Sequence, residues 1–170
     1  EVKENHAPVV NGAMENVIFT ATSKSKKIDL SQYMTDEDGE TLTYSASSSS
    51  ESVVKASISN AMLTLNSTGF GQAEVTVTAT DAMSKSVKTS FKVMVRDGSK
   101  PFDVYPNPVT DGKLYVRPGE TENIDVQIVA ASGAVVLDSS VAADPFAPAM
   151  IDMSAMLSGV YNVKVTSGSG

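Results

Sequence analysis

The chain has 170 residues, with 13 Lys and Arg, 20 Asp and Glu, one His, no Cys and no Trp, for a formal net charge of −7. Without cysteine there is no disulfide scaffold, and a single imidazole, His6, cannot build a zinc cluster or support more than one Ser-His arrangement, so most enzyme chemistries are not expected of these residues. Scattered cations in an acidic chain supply no basic patch, which argues against a nucleic-acid partner.

No run approaches the ~18 apolar residues of a membrane span. The longest apolar stretches, Ile128 to Ala131 and Ala134 to Leu137, are interrupted by Ser132 and Gly133. The first residue is Glu1, so a processed product or a piece of a longer protein is expected. Absence of cysteine is compatible with export but does not establish it.

In chain order, β-type stretches are predicted at Val17–Thr22, Leu42–Ala46, Val53–Ser59 and Met62–Leu65, separated by the turn signals Asn11-Gly12, Asp38-Gly39 and Asn60. Ser45–Ser52 reads as a flexible, serine-rich loop tip. From Ala73 to Thr80 the alternation is strict: Ala73, Val75, Val77 and Ala79 face one way, Glu74 and the threonines the other. Phe91, Val93 and Val95 alternate with Lys92, Met94 and Arg96. Asp97 to Pro101 cannot continue a ladder, so the chain is divided there. Beyond it, Ile124, Val126 and Ile128, and finally Tyr161, Val163 and Val165, repeat the period of two. No segment sustains helical spacing. The expected class is all-β, two antiparallel β-sandwich domains in tandem over 1–98 and 99–170, with net charges of −3 (nine cations, twelve anions) and −4 (four cations, eight anions). The second, with about 70 residues, is expected to be the less stable.

Asn5-His6-Ala7-Pro8, the stretch from Tyr33 to Tyr44 containing Asp36-Glu37-Asp38-Gly39, and Val75 to Ala82 with Asp81 are similar to the N-x-A-P, (F/Y)-x-D-x-D-G-x-x-L-x-Y and V-x-A-x-D signatures of bacterial cadherin-like repeats. The resemblance spans nearly all of 5–97. It implies a Greek-key sandwich serving as spacer or adhesive module, often with calcium at the pole where a neighbouring domain begins. On it, Asn5, Asp36, Asp38 and Asp81 are the candidate calcium ligands. The residues themselves leave two readings open. Carboxylates two apart before a glycine supply hard oxygen ligands, and they are equally the ordinary residues of a turn. His6 is read as a linker side chain.

The second half resembles another family. Val104-Tyr105-Pro106-Asn107-Pro108 through Val116, the apolar pair of strands around Ser132-Gly133, and Ile151 to Val165 are similar to the Y-P-N-P, x-G-x-V-V and I-D-(L/M)-S-x-L-x-x-G-x-Y-x-V-K-V pattern of the C-terminal sorting domain of the Bacteroidetes type IX secretion system. The resemblance covers 102–165, and the chain departs from it in lacking a short basic end. Its sorting-motif residues here are Tyr105, Pro106, Asn107, Pro108, Gly133, Gly159, Tyr161 and Lys164. It implies recognition by outer-membrane secretion machinery, a secreted or cell-surface location, and an upstream domain of the same chain, such as a subtilisin-like protease. Read locally, Pro106 and Pro108 end a ladder on both sides of Asn107, and Ser158-Gly159 allows a tight reversal into the last strand.

The reading is therefore a non-catalytic region of a larger exported bacterial protein, a spacer followed by a secretion and anchoring domain, with no cofactor other than the calcium in question and a monomeric state. The alternative is an adhesive or carbohydrate-binding surface module, which would need an exposed aromatic platform from five Phe and five Tyr.

Overall fold

A computed structural model of the chain describes residues 4–20 and 24–168. The chain forms two compact units, Glu1–Asp97 and Gly98–Gly170. Almost all regular structure is β, and no α-helix occurs among the described residues.

The first unit contains β1 (Val9–Val10), β2 (Val17–Phe19), β3 (Ser25–Asp29), a 3-10 turn (Leu30–Gln32), β4 (Met34–Thr35), β5 (Thr43–Ser48), β6 (Val54–Ser59), β7 (Met62–Ser67), β8 (Gly71–Thr80) and β9 (Ser86–Val95). One sheet runs β2-β9-β8-β5, a second β3-β7-β6, and β1 pairs with β4. β8 shows why they stack: Ala73, Val75, Val77 and Ala79 are buried, while Glu74 is exposed and the threonines are half-buried. Leu63, Leu65 and Val54 meet them from the second sheet, and Leu30 and Met34 close the core. All pairings are antiparallel except β2 with β9, where Val17–Phe19 runs parallel to Val93–Val95. That departs from the purely antiparallel expectation. Residues 21 and 22, the end of the strand predicted over Val17–Thr22, lie outside the described residues.

The second unit contains β10 (Phe102–Tyr105), β11 (Lys113–Pro118), β12 (Glu122–Ala130), β13 (Val135–Ala143), β14 (Ala149–Asp152) and β15 (Tyr161–Ser167). Two three-stranded antiparallel sheets, β10-β11-β14 and β13-β12-β15, enclose Leu114, Val116, Ile124, Val126, Ile128 and Ile151. β12 is central in its sheet and long, so its alternation is the clearest in this half.

Three expectations change. Ser45–Ser52 is not a flexible tip: Thr43–Ser48 is paired along β8, the Ser49 N–H donates to the Glu74 carbonyl at 2.8 Å, and the Glu74 N–H donates to Ser49 Oγ at 2.8 Å. The Thr68 hydroxyl holds the Glu51 carbonyl at 2.7 Å. Serine hydroxyls bond local backbone, and that tethers the segment. Met94 and Arg96, placed on the wet face by alternation, are both buried. β3, with the sequence Ser-Lys-Lys-Ile-Asp, has too few apolar residues to be read as a strand, yet pairs with β7 as an edge; Lys26 stands opposite Leu65, a charge that discourages further pairing.

Candidate functional site

At one end of the first unit the N-terminal segment is tied to two turns. The Asn5 side-chain amide donates to Asp81 Oδ2 at 3.0 Å. Asp81 Oδ1 accepts the N–H groups of Met83 at 2.9 Å and Lys85 at 2.8 Å, and Lys85 Nζ donates to the Asn5 carbonyl at 2.6 Å. Burial alone would raise the Asp81 pKa, but the hydrogen bonds from Asn5, Lys85 and Met83, with the charge of Lys85, outweigh it and hold the carboxyl below its usual range. Next along the chain, the His6 N–H donates to Asp38 Oδ2 at 2.6 Å. The Asp38 N–H in turn donates to Asp36 Oδ1 at 2.8 Å, an Asx turn completed by Gly39 at φ +72°.

Thus Asn5 is joined to Asp81, and Asp38 both to Asp36 and to the residue after Asn5. The oxygens Asn5 Oδ1 and Asp36 Oδ2 are buried and accept no hydrogen bond, and free acceptor oxygens are what a hard divalent cation binds. Against that, both Asp81 oxygens are engaged by amide and backbone donors, and among the described residues no three His, Asp or Glu side chains are grouped to hold a metal.

In the second unit the motif residues divide. Tyr105 faces the outside of its sheet, stacked on Tyr115 with ring centroids 5.7 Å apart, and the Arg117 guanidinium lies 5.1 Å from its ring centre. Gly133 forms the β12–β13 hairpin at φ +87°, its N–H donating to the Ala130 carbonyl at 2.9 Å. Lys164 lies on the outer face of β15, beside Asp125, Gln127 and Asp138. The other five converge: Pro106, Asn107, Pro108, Gly159 and Tyr161 line one groove of about 1100 Å³. Prolines 106 and 108, both preceded by cis peptide bonds, form one wall. The segment after β14 also lines the groove and is held by the Tyr161 hydroxyl, which donates to the Leu157 carbonyl at 2.8 Å.

Gly159 does not use a glycine's freedom: it has no left-handed φ, and a Cβ there would meet nothing nearer than 3.7 Å. Gly112 is more demanding, at φ +72° with Ser154 Cα 3.0 Å from the position of a Cβ. Leu157 and Val160, on the groove's rim, are the residues that motif reading passed over; each is an apolar side chain outside any alternating run, and both are strongly exposed.

Over residues 103–170 the chain matches a family described as the secretion system C-terminal sorting domain. A chain carrying this domain is a secreted or outer-membrane cell-surface protein, and no helix among the described residues is long and apolar enough to cross a membrane. No curated protein matches. Among solved structures, the chain is similar to a nucleoside hydrolase-related hypothetical protein from Saccharophagus degradans associated with carbohydrate metabolism, at 25% identity and a TM-score of 0.38, covering 54% of this chain and 26% of that one. It is similar to dimeric latent PorU from Porphyromonas gingivalis at 17% identity and a TM-score of 0.32, covering 98% and 19%. It is also similar to the human Desmocollin-1 ectodomain at 12% identity and a TM-score of 0.39, covering 98% and 37%. The chain thus spans well under half the length of each of these three.

Proposed function

We propose that residues 98–170 are the type IX secretion sorting domain of a larger exported protein of the Bacteroidetes, and that residues 1–97 are a cadherin-like spacer between it and an upstream cargo, with a hydrolase such as a subtilisin-like protease as the expected cargo. The work of these residues is recognition and spacing, without catalysis, in a monomer. The family match over 103–170 carries this reading, because it covers both the Tyr-Pro-Asn-Pro segment and the Gly-Val-Tyr segment. The groove supports it: motifs separated by about fifty residues of sequence are brought to one surface, as shared recognition requires. The test is deletion of 98–170 from the full chain carried behind a reporter, in a bacterium possessing this secretion system. Loss of the reporter from the cell surface, with the reporter still active inside, is expected; unchanged display overturns the reading. A carbohydrate-binding surface has less support, since the Tyr105 ring is already stacked on Tyr115 and in contact with the Arg117 guanidinium.

A second reading concerns the first unit. The unbonded, buried oxygens of Asn5 and Asp36 favour weak calcium binding by Asn5, Asp36, Asp38 and Asp81, completed by backbone carbonyls, water or a preceding domain.

A further inference from the structure

We propose that the groove of the second unit receives an extended strand of another polypeptide, which pairs with the free edge of β15 and sets apolar side chains between the two sheets. The proposal deepens the sorting reading and rests on it, since the strand would belong to the secretion machinery. Its basis is an open flank in the sandwich. β15 pairs with β12 along one side only, and no other backbone bond to it is formed among the described residues. β10 is likewise an edge, four residues long before the proline segment ends it. Val104 and Leu114 line the groove from one sheet, Tyr161 and Val163 from the other, so it opens between the sheets beside both edges. An unpaired edge offers a row of N–H and C=O groups that only another extended backbone satisfies in full. The seven residues of β15 would match a partner strand of about 23 Å at roughly 3.3 Å per residue.

The side chains at the rim specify the strand further. Leu157 is 85% and Val160 80% exposed, a poor use of apolar surface in a domain whose core is small. Among the described residues Asp111 is the only charged one lining the groove, and no cation lines it. By charge complementarity the incoming strand is apolar at alternate positions, carries no carboxylate in the groove, and places a Lys or Arg opposite Asp111.

The test uses the full chain behind a reporter in a bacterium with this secretion system, with a photo-crosslinking residue at position 157, 160 or 162. Crosslinks are expected on a single segment of a secretion-machinery protein, at every second residue and with a Lys or Arg adjoining. Leu157→Lys with Val160→Lys is expected to lower surface display tenfold or more, while Ser140→Lys with Ala142→Lys, exposed on the opposite edge strand and outside the sorting motifs, leaves it unchanged. Crosslinks to a second copy of this chain, to lipid, or to a helix at i, i+3 and i+4 overturn the proposal. Display at the wild-type level in the Leu157→Lys, Val160→Lys variant also overturns it. Should that variant melt early, the crosslinks on the otherwise unaltered chain decide. If deleting 98–170 abolishes display but the lysine variant does not, the groove proposal alone falls; if neither matters, the sorting reading falls as well.

Discussion

The side chains of Asn5 and Asp81, 76 residues apart, are joined by a 3.0 Å hydrogen bond that fastens the N-terminal segment to the end of β8. The Asp81 pKa is pushed up by burial but more strongly down by Asn5, Lys85 and Met83, so its folded value lies below its ordinary one. A depressed carboxyl contributes stability that is present above the unfolded value, about 3.9, and is lost as pH falls through the folded value. The first unit is therefore expected to melt progressively earlier below pH about 4. Asp81→Asn should melt earlier than wild type at pH 7, and the gap should narrow as the pH is lowered. A gap that stays constant from neutral to acid pH would show that the carboxylate's charge is not what the network uses.

Calcium at this pole is tested by melting the first unit in excess calcium and in chelator. A bound ion raises the melting temperature according to RT ln(1 + [L]/Kd), and extracellular modules of this kind bind at about 0.1–1 mM. A rise in millimolar calcium is expected in wild type and is expected to vanish in Asp36→Asn with Asp38→Asn. A rise that persists in the double variant leaves the two aspartates as turn residues only.

The two cores are expected to respond separately to cavities. Leu65 and Ile128 are fully buried, one in each unit. Each truncation to Ala should cost about 2–5 kcal/mol. Calorimetry is expected to show two transitions, the lower one belonging to the second unit because its core is the smaller. Leu65→Ala should move only the upper transition and Ile128→Ala only the lower. One transition that shifts in both variants contradicts this.

Three glycines of the second unit should behave differently, although motif reading singled out only two of them. Gly159→Ala should be nearly neutral for folding, since there is room and no left-handed backbone. Gly133→Ala has open space but φ +87°, so about 1–2 kcal/mol is expected from conformation alone. Gly112→Ala adds to the same strain a contact with the Ser154 backbone at 3.0 Å. In a domain with roughly 3–5 kcal/mol in hand, that substitution should unfold it. Circular dichroism melts of the three variants give the order directly.

The pH response should also be read against the edge of the second unit. The Ser154 hydroxyl and N–H hold the Asp152 carboxyl below its usual range, helped by the charge of Lys113, which faces it across β11 and β14. Because Asp152 is exposed, Asp152→Asn is expected to shift the lower transition by little at any pH.

Much of this protein was legible in one dimension because a strand's side-chain period is a local property. β8 and β12 carry their buried residues at every second position, so their inward faces could be named before any partner was known. Asp38-Gly39 and Asn60 were legible for a similar reason, since a short polar side chain or a glycine is what a left-handed turn position accepts, and both Gly39 and Asn60 have positive φ. What a residue meets across the fold is not written in its neighbours. The burial of Met94 and Arg96, the pairing of the lysine-rich β3, and the tethering of Ser45–Ser52 to Glu74 all depend on strands distant in sequence. The motif residues illustrate both sides. Their identity and order pointed to a sorting domain, but only the packing of two three-stranded sheets turned Tyr105 and Lys164 to outer faces and gathered Pro106, Asn107, Pro108, Gly159 and Tyr161 around one groove, because which side chains share a surface is set by strand pairing and sheet stacking.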